Sequence, residues 1–176
     1  MLIRLIAATG MRRGEAAALR WSDISFESRE VIVDESVIGA QGTLIVKSPK
    51  TSGSLRTVAI DEETVRVLEG LRGSQLAVAE NCGFALDGDA FVFSYSPDGL
   101  APPHPDSYRS HRFKRIAKQA GVVPDIHLHS LRHFQATVID PFVSEGQKQA
   151  RLGWSTSHMA RHYTNPISDE DKKAAD

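Results

Sequence analysis

A single cysteine, Cys82, leaves no pair for an internal disulfide and fits a reducing compartment. No apolar run approaches the roughly 20 residues that a bilayer-spanning helix needs. The opening stretch MLIRLIAATGMRRGE is not a secretory signal: its apolar part is short, has no basic start and runs straight into charged residues. These features predict a cytoplasmic protein without a membrane partner. Aromatic residues make up 7% of the chain and the formal net charge is -1, so the chain is not uniformly basic in the manner of many nucleic-acid-binding proteins.

The charge is nevertheless sorted by segment. Counting Lys and Arg against Asp and Glu, residues 1–21 carry +3, 42–60 carry +3 and 101–165 carry +5. Residues 22–41 carry -4, 61–100 carry -6 and the stretch from Pro166 onward -2. Basic segments that met on one face could follow a phosphate backbone while the acidic ones faced away; the same fluctuation also occurs on ordinary surfaces.

Periodicity predicts helices over Leu2–Ala8 and Gly14–Arg20, then a turn at Trp21–Ile24. Short β-rich runs follow at Val31–Val33, Thr43–Val46 and Arg56–Ile60, read as one three-stranded antiparallel sheet. Asp61 is placed as N-cap of a helix to about Ala79, with Glu62 and Glu63 in its first turn. Asn81–Pro105 reads as loop with one short strand at Phe91–Phe93. Ser107–Ala120 reads as a basic helix ended by Gly121, and further helices are expected at His129–Ile139, Ser144–Leu152 and Ser157–Tyr163. The fold class is mainly α with a small three-stranded antiparallel β-sheet.

Four stretches could carry chemistry. Arg12 and Arg13 lie between a glycine turn and a helix start, a fit for phosphate; they also read as a solvated pair with Glu15 as surface partner. Lys50 sits in the loop between the second and third predicted strands, either as a proton donor or as an exposed lysine. In His127–His133, His129 and Arg132 share a helix face, while His129 and His133 have a metal-ligand spacing that lacks further ligands. Taken alone, Trp154 and Tyr163 read as core aromatics.

Taken in order, these stretches resemble the tyrosine recombinase (phage integrase) family. The first-arginine motif is TGMRRGEAAALRWSDI, which assigns Arg12 rather than Arg13. The hairpin lysine is Lys50 in PKTSGSLRTVAI, HSLRH supplies His129 and Arg132, LGW supplies Trp154, and MARHYTNP supplies Tyr163. The resemblance implies an integrase-type catalytic domain over residues 1–166, a tail over 167–176, and an absent N-terminal core-binding domain. It implies site-specific recombination of double-stranded DNA by a bacterial phage or mobile-element enzyme: Tyr163 attacks a phosphodiester, and a 3′-phosphotyrosyl intermediate leads to strand exchange. Arg12 and Arg132 would neutralise the phosphate, His129 would act as base, Lys50 would protonate the leaving 5′-oxygen, and Trp154 would donate from its indole where most members have His. No metal or cofactor is implied. The full-length protein would be a homotetramer on DNA, the fragment a monomer. Alternatives are a non-catalytic DNA-binding remnant and an enzyme related to type IB topoisomerases.

One segment departs from the family pattern. VIDPFVSEGQKQAR is about one residue short, contains Pro141, and has Gln147 and Lys148 where the family has apolar residues.

Overall fold

The computed structural model describes residues 1–40, 42–48, 55–108, 111–122 and 126–154. Two short helices, α1 (Leu2–Thr9) and α2 (Arg13–Ala18), lead into a 3-10 turn at Trp21–Asp23. Five strands follow: β1 (Ile24–Ser25), β2 (Glu30–Val33), β3 (Ser36–Ala40), β4 (Thr43–Lys47) and β5 (Arg56–Ala59). The remaining helices are α3 (Glu62–Asn81), α4 (His111–Gln119), α5 (Ser130–Ile139) and α6 (Glu145–Leu152). Among the described residues no helix is long and apolar enough to cross a membrane.

The three-stranded antiparallel sheet exists, but its members differ from those expected. Its order is β1-β2-β5, with Val31 opposite Val58 and Val33 opposite Arg56. Thr43–Lys47 does not belong to it. That strand pairs instead with Ser36–Ala40 in a separate hairpin, Val37 opposite Val46 and Ile38 opposite Ile45. Ser36–Ala40 carries a glycine and follows two acidic residues, which hides its strand character. The hairpin packs against α2, where Val37 is buried with Ala17 and Ala18.

Tertiary pairing also shortens two other expected elements. The second helix stops at Ala18 because Leu19 turns extended and its carbonyl accepts the Val92 N–H at 2.8 Å. Beside it, Arg20 forms a single antiparallel bridge with Phe91, which is all that remains of the strand expected at Phe91–Phe93. A 3-10 turn at Pro105–Tyr108 precedes the basic helix, which spans His111–Gln119 and is followed by Gly121 at φ 69°. The helix expected at Ser157–Tyr163 lies outside the described residues.

Alternation along β2 and β5 turns Val31, Val33 and Val58 inward onto Leu5 of α1 and Val65 and Leu68 of α3. Asp61 caps α3 as expected, accepting the Thr64 N–H at 2.9 Å. Burial alone would raise its carboxyl, but the Thr64 hydroxyl and N–H and the Arg4 guanidinium hold it at about 2. The other face of α1 carries Ile6 into a second cluster with Ala16, Phe113 and Leu128. Thus α1 lies between the sheet side and the α4–α5 side, and its C-terminus points at the segment between them.

Candidate active site

That C-terminus is built around Gly10. At φ 68° it adopts the left-handed conformation that closes α1, its N–H bonding to Ile6 O at 2.8 Å. A Cβ there would fall 2.4 Å from Leu152 Cδ2, so the close approach of α6 also requires glycine. The chain then turns into α2, placing Arg12 just before the helix and Glu15 inside it. Glu15 receives the Arg12 N–H at 2.7 Å and the Arg12 guanidinium at 2.8 Å.

Glu15 is therefore not a surface partner, as the sequence suggested; it is buried. Arg56 of β5 reaches it with a second guanidinium at 2.7 Å, and both side chains are under a tenth exposed. Burial pushes the Glu15 carboxyl up; the hydrogen bonds and charge of Arg56, with help from Arg12, outweigh this and hold it below the usual carboxylate range. The signal for Arg56 was available: Arg56, Val58 and Ile60 alternate inward, so this arginine had to meet a buried carboxylate or carbonyl.

The C-terminal end of α6 gathers the arginines. Three consecutive carbonyls there each accept from a different one. Arg151 O accepts Arg56 Nε at 2.9 Å, Leu152 O accepts Arg132 Nη2, and Gly153 O accepts Arg12 Nη2 at 3.2 Å. Cations at a helix C-terminus meet carbonyls without intrahelical partners and the negative end of the dipole. Arg132 is essentially fully buried and also donates to Gly10 O. Two donors of its fork are thereby fixed on backbone, which orients the guanidinium plane. Its charged centre lies 5.7 Å from the Trp154 ring centroid, and Trp154 is buried with Ala136 and Leu152.

Gly153 closes α6 at φ 61°, and a Cβ there would meet Arg56 Nη1 at 3.0 Å. Gly153→Ala is expected to cost about 1–2 kcal/mol through left-handed strain, read as a lowered thermal midpoint. No change in midpoint would show that the peptide can relax without cost.

His129 precedes α5, one turn before His133, and their rings meet edge to face at 5.1 Å. Desolvation, followed by the charges of His133, Arg132, Arg12 and Arg13, lowers the His129 pKa. It is thus neutral, and able to accept a proton, at neutral pH. Among the described residues no group of three or more His, Cys, Asp or Glu side chains could hold a metal ion. A cleft of about 760 Å³ opens beside these groups, lined by Arg12, Arg13, His127 and His129 on one side and by Ser36–Gly39 on the other.

Three of the expected site residues, Arg12, Arg132 and Trp154, thus lie around one helix end, and a fourth, His129, is close enough to feel the charge of Arg132 and Arg12. Lys50 and Tyr163 lie outside the described residues. The departing segment also has a physical resolution. Lys148, at a position expected to be apolar, is buried at 2% exposure, but its ammonium pairs with Asp140 and lies 3.4 Å from Glu145. Asp140 belongs to the same altered stretch, so the buried lysine brings its partner with it and ties α6 to the end of α5.

Both the sequence and the fold have known counterparts. Residues 1–170 match the sequence model of the Phage integrase family. The ICEBs1 integrase of Bacillus subtilis (strain 168) is 30% identical over 131 residues, covering 74% of this chain and 34% of that protein. A "Tyrosine recombinase XerC-like" protein of Caldanaerobacter subterraneus subsp. tengcongensis is 31% identical over 148 residues, covering 77% and 37%. The chain therefore spans about a third of the length of these curated relatives. In fold it is similar to the Tn1549 transposon integrase in complex with transposon right end DNA, with a TM-score of 0.77 at 22% identity, over 98% of this chain and 56% of that one. It is also similar to XerH recombinase bound to palindromic difH substrate, with a TM-score of 0.69 at 22% identity, over 99% and 43%. By its motifs, its fold and the match along nearly its whole length, the chain belongs to the phage integrase family.

Proposed function

We propose that residues 1–166 form the strand-cleaving domain of a site-specific DNA recombinase, in which Tyr163 attacks a phosphodiester of double-stranded DNA. The observation that carries this is the meeting of Arg12 and Arg132, far apart in the chain, on adjacent carbonyls of Leu152 and Gly153 beside a neutral His129.

Attack on phosphorus builds negative charge on the non-bridging oxygens. Guanidinium groups already oriented by protein carbonyls stabilise that charge without reorganising. Tyrosine ionises near pH 10 in water, so the proton on Tyr163 needs an acceptor; His129, neutral at working pH, supplies one. The Tyr163 oxygen forms a bond to phosphorus as the bond to the 5′-oxygen breaks, and Lys50 protonates that leaving oxygen. Trp154, held behind Arg132, offers its indole N–H to the phosphate. The 3′-phosphotyrosyl ester conserves the bond, so the reverse attack by a 5′-hydroxyl rejoins a strand, and attack by a hydroxyl from another duplex exchanges it. In the full-length protein this proceeds in a tetramer on paired sites. The DNA-bound relatives and the mobile-element integrases among them support this reading.

The test is a nicked duplex built on candidate repeats sought in the DNA flanking the gene, designed so that cleavage releases a short oligonucleotide and traps the enzyme. A covalent protein–DNA adduct is expected, and it is expected to vanish in Tyr163→Phe. An adduct that survives this substitution contradicts the assignment.

A further inference from the structure

Among the described residues lining the cleft, Arg13 is a cation that the reaction above does not use. Arg13 opens α2 and lines the cleft beside Arg12, and its charge reaches His129. Its Nη1 lies 3.0 Å from Asp106 Oδ1, and Asp106 is the acidic residue among the described side chains lining the cleft. Asp106 sits on the Pro105–Tyr108 turn. Its N–H donates to His104 Nδ1 at 3.1 Å, and the His104 ring lies against β3, where a Cβ on Gly39 would come within 3.2 Å of Nε2. The turn is thus braced on the hairpin, and the carboxylate reaches Arg13 at the start of α2.

The chemistry of this pair is that of an arginine with a phosphate: a guanidinium opposed by an anionic pair of oxygens. Both side chains are partly exposed, at 35% and 51%, so the ion pair is weak and solvent-accessible rather than a core contact. It lies in the same cleft as Arg12, the residue proposed above to hold the cleaved phosphate.

We propose that Arg13 is a second backbone-phosphate site of the cleft, and that Asp106 occupies it as a built-in competitor that keeps DNA affinity down. The inference rests on the DNA reading above. With Asp106 in place, Arg13 is already paired and contributes little to counterion release on binding. With the carboxylate removed, Arg13 takes a phosphate, and one further counterion is released.

The experiment is fluorescence anisotropy of a labelled DNA duplex titrated with the wild-type chain, Asp106→Asn, and the Asp106→Asn/Arg13→Gln pair at several salt concentrations. Asp106→Asn is expected to bind about 3–10-fold tighter, with the slope of log affinity against log salt steeper by about one. The double variant is expected to lose both changes. Unchanged affinity and slope in Asp106→Asn overturn the inference, as does a gain that persists without Arg13, since that gain would come from overall charge alone. If these outcomes occur while wild type binds duplex, only this inference falls. If no protein binds duplex, the DNA reading falls with it.

Discussion

Arg56→Ala is expected to destabilise the domain by about 3–5 kcal/mol, because it leaves the Glu15 carboxylate buried without its main partner. For a chain of this size that lowers the thermal midpoint by roughly 6–20 °C. The cost is larger than for an exposed pair because both side chains are almost fully enclosed. The same substitution frees Arg151 O, one of the three carbonyls that gather arginines at the end of α6. Joint replacement by Glu15→Leu and Arg56→Met would restore part of the stability, since apolar side chains of similar volume often substitute for a buried ion pair. It would not restore the site: Glu15 also holds the Arg12 N–H and guanidinium. Because the Glu15 carboxyl is held below its ordinary value of 4.5, the stability it contributes is fully present above that pH and is lost as pH falls further. Arg56→Ala should therefore flatten the acid limb of the stability curve, and an unchanged acid limb would show that the pair contributes little.

Arg132→Lys is the second large effect, this time on chemistry. Lysine keeps the charge but replaces a planar fork with a single ammonium. It cannot hold Gly10 O and Leu152 O and also present a forked face to phosphate. Adduct formation at saturating DNA is expected to slow by about 10²–10³-fold, the scale seen when one preorganised donor is removed from a developing oxyanion. Duplex affinity should change much less, because the charge remains. A rate within a few-fold of wild type would mean that Arg132 is a structural strut alone.

These two predictions fall on opposite sides of what could be read from the chain. Arg12, His129, Arg132 and Trp154 stand in short motifs with fixed neighbours, and their order was enough to group them before any geometry. The helices α1, α3, α5 and α6 were legible from periodicity and from two end signals, Asp61 at the start of α3 and Gly10 at the end of α1. The membership of the sheet was less legible. Thr43–Lys47 has the composition of a sheet strand, but what decides its partner is the neighbouring Ser36–Ala40, whose strand signal is weak, and the packing of both on α2. The end of α2 was likewise set from outside, by hydrogen bonding of Leu19 and Arg20 to the Ala90–Val92 segment. Glu15, Arg56 and Lys148 were misjudged or passed over for one reason: a charged residue usually marks a surface, and only a found partner makes its burial tolerable. Those partners are distant in sequence for Glu15 and Arg56. For Lys148 the partner Asp140 lies eight residues away, within the altered segment itself.

The hub at the end of α6 holds together arginines that stand far apart in the sequence. Arg12, Arg56 and Arg132 come from different elements, and their shared acceptors are three adjacent carbonyls. Displacing that segment would move Arg12 and Arg132, the two groups proposed to bind phosphate, together.

The most direct measurement is mass spectrometry of the trapped protein–DNA adduct after nuclease and protease digestion. The proposed mechanism predicts a peptide spanning MARHYTNP with a nucleotide esterified through its 3′-phosphate to Tyr163. A nucleotide on any other residue, or joined through a 5′-phosphate, would contradict it.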